Sequence, residues 1–203
     1  VVVSVDTTRA VVAEAALDAG ASIVNDVSGA AADPRTAPLA ARRGCRLVLM
    51  HWRDHSADMY ARAEYDDVVA EVRAELSRRV DAALSAGVAA EQIIVDPGLG
   101  FAKLPRHNWT LSAHLDAFVA MGFPVLFGGS RKSYLGKLLA DADGTPRPAD
   151  ERDAATLATS VLAFEAGVWG VRVHDVRATA DARAVWEATR LGRVRQIGAR
   201  DAD

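Results

Sequence analysis

The feature that most limits the fold of this chain is a regular alternation of short apolar strands and amphipathic helices. Six apolar runs, each suited to a β-strand, are each followed by a polar turn and a segment with helical spacing of apolar residues. We predict these strands at 1–5, 22–24, 46–50, 92–95, 125–127 and 169–173. The β-branched run at 1–5 is typical of a strand buried on both faces. Alternating elements of this size predict a parallel sheet with right-handed crossovers.

The predicted helices are bounded by ordinary start and stop signals. We expect Asp33-Pro34 to cap and open one helix, Asn108 to cap another, and glycines to end several of them. The helices are predicted at about 9–19, 33–43, 65–86, 108–121, 133–140, 153–166 and 179–190. We expect a polar loop up to about Glu64, a polar insertion at 141–152 and a frayed tail at 191–203.

Two architectures share this alternation, the doubly wound sheet and the (β/α)8 barrel. A doubly wound sheet concentrates its function at one switch point, often with a G-x-G-x-x-G turn after the first strand. Here the first strand ends in Asp-Thr-Thr at 6–8, and polar clusters follow all six strands. Functional residues at the ends of many strands are typical of the barrel. The sequence therefore predicts an α/β fold of the (β/α)8 TIM barrel type.

The length of the chain adds a second expectation. A (β/α)8 barrel typically takes about 250 residues, whereas this chain has 203 and opens inside a predicted strand. We therefore expect a barrel that lacks its first two βα units. Residues 1–190 would form one domain carrying strands three to eight, and 191–203 a C-terminal tail.

Net charge, hydropathy and cysteine content limit the binding partners and the cellular location that we expect for this protein. The formal net charge is -3, so we expect no binding to nucleic acid. No apolar run reaches the roughly 18 residues of a membrane span, and we expect a cytoplasmic protein without a membrane partner. The one cysteine, Cys45, excludes an internal disulfide, and its place before an apolar strand predicts a buried structural thiol.

The turn GGSRKS at 128–133 has the composition of an anion-binding site. Its glycines let the backbone approach a ligand closely. The free N–H groups of a helix start, together with Arg131 and Lys132, favour phosphate or carboxylate. A tight turn with solvated basic residues explains the hexapeptide about as well. The equivalent placement of the other polar clusters favours a binding site.

Six blocks of the sequence are highly specific when they are taken together. They are SVDT at 4–7, NDVSG at 25–29, LMHWR at 49–53, VDPGLGFAK at 95–103, GGSRKS at 128–133 and RVHDV at 172–176. In order and spacing the chain resembles dihydropteroate synthase. The resemblance implies a (β/α)8 barrel, usually homodimeric, that acts in folate biosynthesis and is the target of sulfonamides. It condenses 6-hydroxymethyl-7,8-dihydropterin pyrophosphate with 4-aminobenzoate, giving 7,8-dihydropteroate and pyrophosphate.

The resemblance also implies roles for individual residues. The implied pterin contacts are Asp6, Asn25, Met50, Asp96, Phe101, Gly128, Lys132 and Arg172. Ser133 is implied to hold 4-aminobenzoate. The implied pyrophosphate pocket consists of Arg172, His174 and, through their backbone, Ser130 and Arg131. The implied catalytic residues are Lys132, Arg172 and His174, and weaker pocket candidates are His51 and Lys103.

The residue chemistry supports some of these roles and leaves alternatives open. A pterin edge presents an amino group and a ring N–H side by side, which a carboxylate such as Asp96 can accept in two parallel hydrogen bonds. The guanidinium of Arg172 can stack on a ring while it binds an anion at its edge. The ordinary explanations are a plain Asp-Pro-Gly turn for Asp96, an Asx turn for Asn25 and a helix cap for Asp6.

The resemblance implies a dissociative mechanism, in which pyrophosphate leaves before the aromatic amine attacks. Such a route needs charge stabilisation at the leaving group more than a general base. The family uses Mg²⁺, held by an asparagine after its first strand. That block, with the mobile loops after strands one and two, is absent from this sequence. We therefore expect no metal ligand here, and we expect these 203 residues alone to fold poorly or to be inactive.

Three other functions remain open at this point. The pterin-binding domain of a corrinoid methyltransferase would share the barrel but would need no pyrophosphate pocket. An inactive fragment or paralogue could bind pterin or act in dimerisation without catalysis. A Schiff-base aldolase could use Lys132, whose pKa the neighbouring Arg131 would lower, but it leaves Asp96 and Asn25 unexplained.

Overall fold

The strands and helices alternate along the chain as the sequence predicts. The computed structural model describes residues 1–53 and 63–200, with side chains described up to residue 192. The strands are β1 Ser4–Asp6, β2 Ile23–Asp26, β3 Arg46–Met50, β4 Ile93–Asp96, β5 Leu126–Phe127 and β6 Gly170–Val171. The α-helices are α1 Ala10–Asp18, α2 Thr36–Arg43, α3 Val68–Ser85, α4 Pro105–Ala113, α5 Leu115–Val119, α6 Ser133–Leu138, α7 Asp153–Glu165 and α8 Val176–Arg200. Short 3-10 helices lie at Ala90–Gln92 and Ala149–Glu151.

The strands form a parallel arc in chain order. β1 to β4 make one sheet, and β5 pairs with β6 in a second. A bridge between Val95 and Val125 joins the two sheets, and the N–H of Val95 donates to the carbonyl of Pro124 over 2.9 Å. Because all these pairings are parallel, the carboxyl ends of the described strands lie at the same end of the arc.

The core lies between the arc and its helices. Residues Val72, Leu76 and Val80 of α3, spaced four apart, are at most 4% exposed and belong to the same cluster as Leu47 and Leu49 of β3. Successive strand residues point to opposite faces. The intervening residues Ile23, Val48 and Ile94 accordingly form a separate cluster inside the arc. The predicted burial of Cys45 is confirmed, since it is 6% exposed.

The first strand differs from its prediction. Val1, Val2 and Val3 precede the strand and are at least 50% exposed, and β1 has no fully buried residue. The expected burial on both faces is therefore wrong. Among the described strands β1 pairs only with β2, so its other edge has no strand to cover it.

Asp33 stabilises a helix other than the one predicted. Instead of opening α2, which begins at Thr36, it accepts the backbone N–H of Ala10 over 2.9 Å. It also accepts two hydrogen bonds from the guanidinium of Arg35, at 2.9 and 2.8 Å. The prediction failed because sequence spacing shows only the following helix, while the fold brings α1 beside this carboxylate.

Asn108 is likewise not a helix cap. The helix begins at Pro105, whose missing N–H suits the first helical position. Asn108 lies inside α4, where its side chain accepts the N–H of Gly100 over 2.7 Å and donates to the carbonyl of Leu104 over 3.0 Å. It therefore ties the loop after β4 to the start of α4.

The C-terminal helix is longer than predicted. The tail expected from residue 191 continues α8 without a break as far as Arg200. Leu, Arg and Gln residues in this segment are good helix formers, and its two glycines, Gly192 and Gly198, each cost only about 1 kcal/mol. The predicted polar loop before Glu64 lies mostly outside the described residues. Within the described part of the chain no helix is both long and apolar enough to cross a membrane.

Candidate active site

The carboxyl ends of the strands surround a cavity of about 250 Å³. It gathers all eight residues that the sequence analysis assigned to the pterin. The lining residues are Asp6, Asn25, Val27, Met50, Asp96, Gly98, Leu99, Phe101, Gly128, Lys132 and Arg172. Larger grooves of about 470 and 550 Å³ lie on the outer helices, and these contain none of the predicted pterin contacts.

Asp96 is the buried carboxylate of the cavity. It ends β4 and is 6% exposed, and its Oδ1 accepts the N–H of Gly98 over 2.7 Å. The turn requires glycine there, because φ is +67° and a Cβ atom would collide with the carbonyl oxygen of His51. Burial raises the pKa of Asp96 to about 6, against the hydrogen bond from Gly98 and the charge of Lys132. Asp96 is therefore ionised at neutral pH but at an energetic cost.

A polar chain crosses the opening of the arc from β2 to β6. The amide nitrogen of Asn25 donates to Oδ2 of Asp6 over 3.0 Å, and the guanidinium of Arg172 donates to the same oxygen over 3.1 Å. The side chains of Arg172 and Asp6 are 60% and 46% exposed. This contact connects the turns after the first and last described strands, although the sequence separates them by 166 residues.

Lys132 brings a positive charge to the cavity directly before α6. Its Nζ lies 4.2 Å from the centre of the Phe101 ring, a cation–π contact. Its stem packs on Gly100, where a Cβ atom would come within 2.9 Å of Cδ. Burial lowers the pKa of Lys132, while the attraction of Asp96 opposes that shift. The cation is thus held between an aromatic face and a carboxylate.

Ser130 and His174 form a pair beside the cavity. The hydroxyl of Ser130 lies 2.7 Å from Nδ1 of His174 and accepts the backbone N–H of the same histidine over 3.3 Å. This pair joins the turn after β5 to the turn after β6. Ser133 is exposed at the first position of α6. Ser130, Ser133 and His174 are close to Lys132 and Arg172 in the sequence, but none of the three lines the cavity.

The structure does not bring Arg131 into the cavity lining. Its guanidinium donates two hydrogen bonds to Asp153 at 2.8 and 2.7 Å. Its backbone N–H, which the sequence analysis assigned to pyrophosphate, donates instead to Oγ1 of Thr156 over 3.0 Å. The residue also has a positive φ of 57°. In this structure Arg131 therefore fixes the turn to α7, through its backbone N–H and two of its guanidinium N–H groups.

His51 and Lys103 also differ from their predicted place. Neither lines the cavity; both are buried beneath the loop that follows β4, with exposures of 0% and 2%. They contact each other, and His51 also contacts Glu75 of α3, a residue that the sequence analysis did not select. A usable signal was its position: Glu75 precedes Leu76, on the side of α3 that packs against the sheet.

Comparison with known proteins places the chain among pterin enzymes. The model of the family described as "Pterin binding enzyme" matches residues 1–174. A curated relative, the dihydropteroate synthase of Mycobacterium leprae (strain TN), is 58% identical over 186 residues, which is 91% of this chain. The chain spans 66% of the length of that relative.

Solved structures give the same result for the fold. Dihydropteroate synthase from Thermus thermophilus in complex with 6HMPPP has a TM-score of 0.85 and 46% identity, covering 93% of this chain and 72% of that one. The Xanthomonas albilineans enzyme in complex with 7,8-dihydropteroate has a TM-score of 0.84 and 38% identity, covering 94% and 67%. These neighbours are TIM barrels, so the predicted fold class is confirmed.

Proposed function

This chain belongs to the family of pterin binding enzymes, and we propose that it is the pterin-binding part of a dihydropteroate synthase. That enzyme would condense 6-hydroxymethyl-7,8-dihydropterin pyrophosphate with 4-aminobenzoate, giving 7,8-dihydropteroate and pyrophosphate. The observation that carries the proposal is the gathering of all eight expected pterin contacts around one cavity. Those residues come from the carboxyl ends of six separate strands and the turns that follow them, and the family resemblance of the sequence assigned them.

The cavity floor suits the polar edge of a pterin. Asp96, ionised at neutral pH, can accept hydrogen bonds from the ring N–H and the amino group that lie side by side on this heterocycle. Asn25 can both donate and accept, which suits the mixed edge on the other side of the ring. Met50 and Phe101 supply apolar surface for its faces. A pterin bound in this way would meet the Nζ of Lys132 above the Phe101 ring.

The rim suits the charge that develops when pyrophosphate leaves. Arg172 lines the cavity with Lys132, and the hydrogen-bonded pair of Ser130 and His174 lies on the same two turns, outside the cavity lining. Fixed cations at this place stabilise the departing anion while the pterin methylene becomes electron-poor. The aromatic amine of 4-aminobenzoate then attacks that carbon, and Ser133 at the exposed start of α6 would hold its carboxylate. Lys132, Arg172 and His174 are the residues we propose as catalytic.

Magnesium remains a prediction of the family resemblance. Across residues 1–53 and 63–200, no group of three or more His, Cys, Asp or Glu side chains could hold a metal ion. No step above passes through a metal.

Homodimerisation, sulfonamide binding and a cytoplasmic location belong to the same proposal. The dimer is supported by apolar side chains that are exposed on the last two helices. Leu162 on α7 is 66% exposed, and Val176 and Val185 on α8 are 67% and 68% exposed. Such exposure of large apolar side chains on neighbouring helices favours a protein interface.

The proposal is tested by ligand binding and turnover on the same preparation. We expect calorimetry to detect 6-hydroxymethyl-7,8-dihydropterin pyrophosphate binding that Asp96→Ala weakens at least about 100-fold. The matched control is Asp116→Ala, an exposed aspartate on α5 that should change nothing. These 203 residues alone are expected to be inactive. Wherever turnover does occur with Mg²⁺ and 4-aminobenzoate added, dihydropteroate and pyrophosphate should form in equal amounts, and Lys132→Ala should abolish both.

The alternatives give different outcomes in this experiment. Equal affinity for the pterin with and without its pyrophosphate would favour the methyltransferase type of site. Pterin binding without turnover, weakened by Asp96→Ala, would indicate a true pterin pocket in an incomplete enzyme. A folded chain that binds no pterin would overturn the proposed function altogether.

A further inference from the structure

Three ionisable side chains form a buried chain directly beneath the loop that carries Asp96. Nζ of Lys103 lies 2.9 Å from Nδ1 of His51, and Nε2 of His51 lies 2.9 Å from Oε2 of Glu75. This hydrogen-bonded series of side chains begins with Lys103 behind the cavity. It ends with Glu75 on the side of α3, and the side chain of Glu75 is 22% exposed. A buried lysine is rare unless it is paired, so this arrangement calls for a role.

The hydrogen in each of these contacts can be assigned to one atom, starting from Glu75. Although burial opposes it, hydrogen bonds from His51 and Arg53 lower the pKa of Glu75 to about 2, so this carboxylate only accepts. Nε2 of His51 must therefore carry a hydrogen. Burial, with the nearby charge of Lys103, lowers the pKa of His51 to about 4, so the ring is neutral and its Nδ1 is an acceptor.

The same logic fixes the state of Lys103. Its Nζ has three acceptors within hydrogen-bond distance: Nδ1 of His51, the carbonyl of Gly98 at 2.9 Å and the carbonyl of Phe101 at 3.0 Å. Three donated hydrogen bonds use all three hydrogens of an ammonium group. Burial lowers the pKa of Lys103 to about 7, which leaves the ammonium form present in weakly acidic solution.

The two carbonyls that Lys103 holds are the two ends of the cavity-lining turn. Gly98 donates its N–H to the Asp96 carboxylate, and Phe101 places its ring under Lys132. A shift of either end would move a group that the proposed pterin contacts. The ammonium of Lys103 therefore controls both the shape of the floor and its charge.

We propose that Lys103, ordered through His51 by Glu75, is a positioning residue that holds the loop after β4 and keeps Asp96 ionised for pterin recognition. This inference rests on the proposed function, since it concerns the same ligand. Lys103 does not line the cavity and acts through the loop and through its charge.

The effect of the Lys103 charge on the pKa of Asp96 must be separated from the effects of the other charged groups around Asp96. The charges that face it come from the turns after β4, β5 and β6, with a further carboxylate after β1; they are Lys103, Lys132, Arg172 and Asp6. The groups that face Lys103 are Asp96, Arg53, Glu75, Lys132 and His51. Lys103 opposes the rise in the pKa of Asp96 that burial causes. Loss of its charge should therefore raise that pKa further, whereas a merely loosened loop should hydrate Asp96 and lower it.

The test is Lys103→Met, which keeps the length and apolar stem of the side chain and removes its charge. The probe is 6-hydroxymethyl-7,8-dihydropterin, which carries no titrating phosphate, and its affinity is measured by calorimetry from about pH 4.5 to 8.5, a range that brackets the usual shifts of such groups. In the wild type we expect affinity to rise as Asp96 ionises and to fall above pH 7 as Lys103 loses its proton. In the variant the acid midpoint should move up by roughly one pH unit. The alkaline fall should vanish, and affinity in weakly acidic solution should drop at least about 10-fold.

A carbon-detected NMR titration of Asp96 in the unliganded proteins reads the same shift without a ligand. Lys137→Met, an exposed lysine on α6, is the matched control and should leave both profiles unchanged. An Asp96 midpoint that stays put or falls in Lys103→Met would overturn the inference while leaving the proposed function intact. If the wild type binds no pterin, both proposals fall together.

A second variant covers the case in which Lys103→Met does not fold. Glu75→Gln keeps an acceptor for His51 at a partly exposed position and removes the anion that stabilises the Lys103 ammonium. We expect the fall in pterin affinity at alkaline pH to begin at least half a pH unit lower, roughly, with the acid midpoint changed less. If the fall in pterin affinity at alkaline pH is unchanged in Glu75→Gln, the proposed link between Glu75 and Lys103 is contradicted.

Discussion

The floor and the rim of the cavity are both built from residues that follow parallel strands, but they differ in burial. On the floor Asp96 is 6% exposed, and Lys103 and His51, buried beneath it, are 2% and 0% exposed. On the rim, the ion pair of Arg172 and Asp6 has side chains that are 60% and 46% exposed, at a distance of 3.1 Å. The groups on and beneath the floor are shielded from solvent, whereas the rim is exposed to it.

This difference separates two tasks in the proposed enzyme. A buried carboxylate is costly to ionise, but it is already desolvated and aimed when a ligand arrives. An exposed ion pair is worth only about 0 to 1 kcal/mol, so an incoming anion can replace Asp6 as the partner of Arg172 at little cost. The floor would recognise the pterin, and the rim would exchange the leaving group.

The largest expected effect comes from Asp96→Asn on the floor. An amide puts a donor where the pterin needs an acceptor, and we expect affinity to fall about 100-fold or more. Stability should move the other way. The pKa of Asp96 is raised to about 6 from an ordinary 3.8, so the ionised group destabilises the fold as pH rises through this window.

At pH 7 the free energy of unfolding of Asp96→Asn should therefore increase, by about 1 to 3 kcal/mol, and this gain should shrink at about pH 4. Urea unfolding at the two pH values measures it, with exposed Asp116→Asn as the control. A lower free energy of unfolding for Asp96→Asn at neutral pH would show that ionised Asp96 does not destabilise the fold.

A smaller effect is expected at the rim from Arg172→Gln. Affinity for 6-hydroxymethyl-7,8-dihydropterin pyrophosphate should fall about 10-fold, because one exposed cation facing a phosphate contributes roughly 1 to 2 kcal/mol. Affinity for the pterin without pyrophosphate should change less than about threefold. Calorimetry at low and high salt checks both, with Arg183→Gln on α8 as the matched exposed control. Equal losses of affinity for the two ligands would show that Arg172 recognises the pterin, as the floor does, and not the pyrophosphate.

The smallest effect should be the coupling of Arg172 to Asp6 in the free protein. A double-mutant cycle with Arg172→Gln and Asp6→Asn, read by urea unfolding, should give about 0.2 to 1 kcal/mol and less at high salt. A coupling above about 2 kcal/mol would contradict the view that this pair exchanges readily with an incoming anion.

The same contrast explains which parts of the site were predictable from the sequence. Asp6, Asn25 and Asp96 directly follow apolar strands, and parallel strands bring their carboxyl ends together whatever lies between them. The role of Lys103 was not predictable in this way, because its partner Glu75 lies on a helix 28 residues earlier. Only tertiary packing brings the two to opposite sides of one histidine ring.

Errors in the fold prediction have the same origin. The capping preferences of Asp33 and Asn108 were real, but each serves a backbone N–H outside the helix that follows it, at Ala10 and Gly100 respectively. The burial expected for the β-branched residues at 1–5 presumed neighbours on both sides, and among the described strands only β2 is present. Local propensity identified the helices and strands, whereas long-range contacts determined which backbone N–H groups the polar side chains bind.

The strict chain order of the strands has a consequence for how this protein is made. Each strand from β2 to β4 pairs with the strand synthesised just before it, and β6 pairs with β5. A chain emerging from the ribosome can therefore add one βα unit at a time to a partner that already exists, and low sequence separation of contacts speeds folding. The Asp6–Arg172 contact must wait until translation has passed residue 172, so the cavity is completed last.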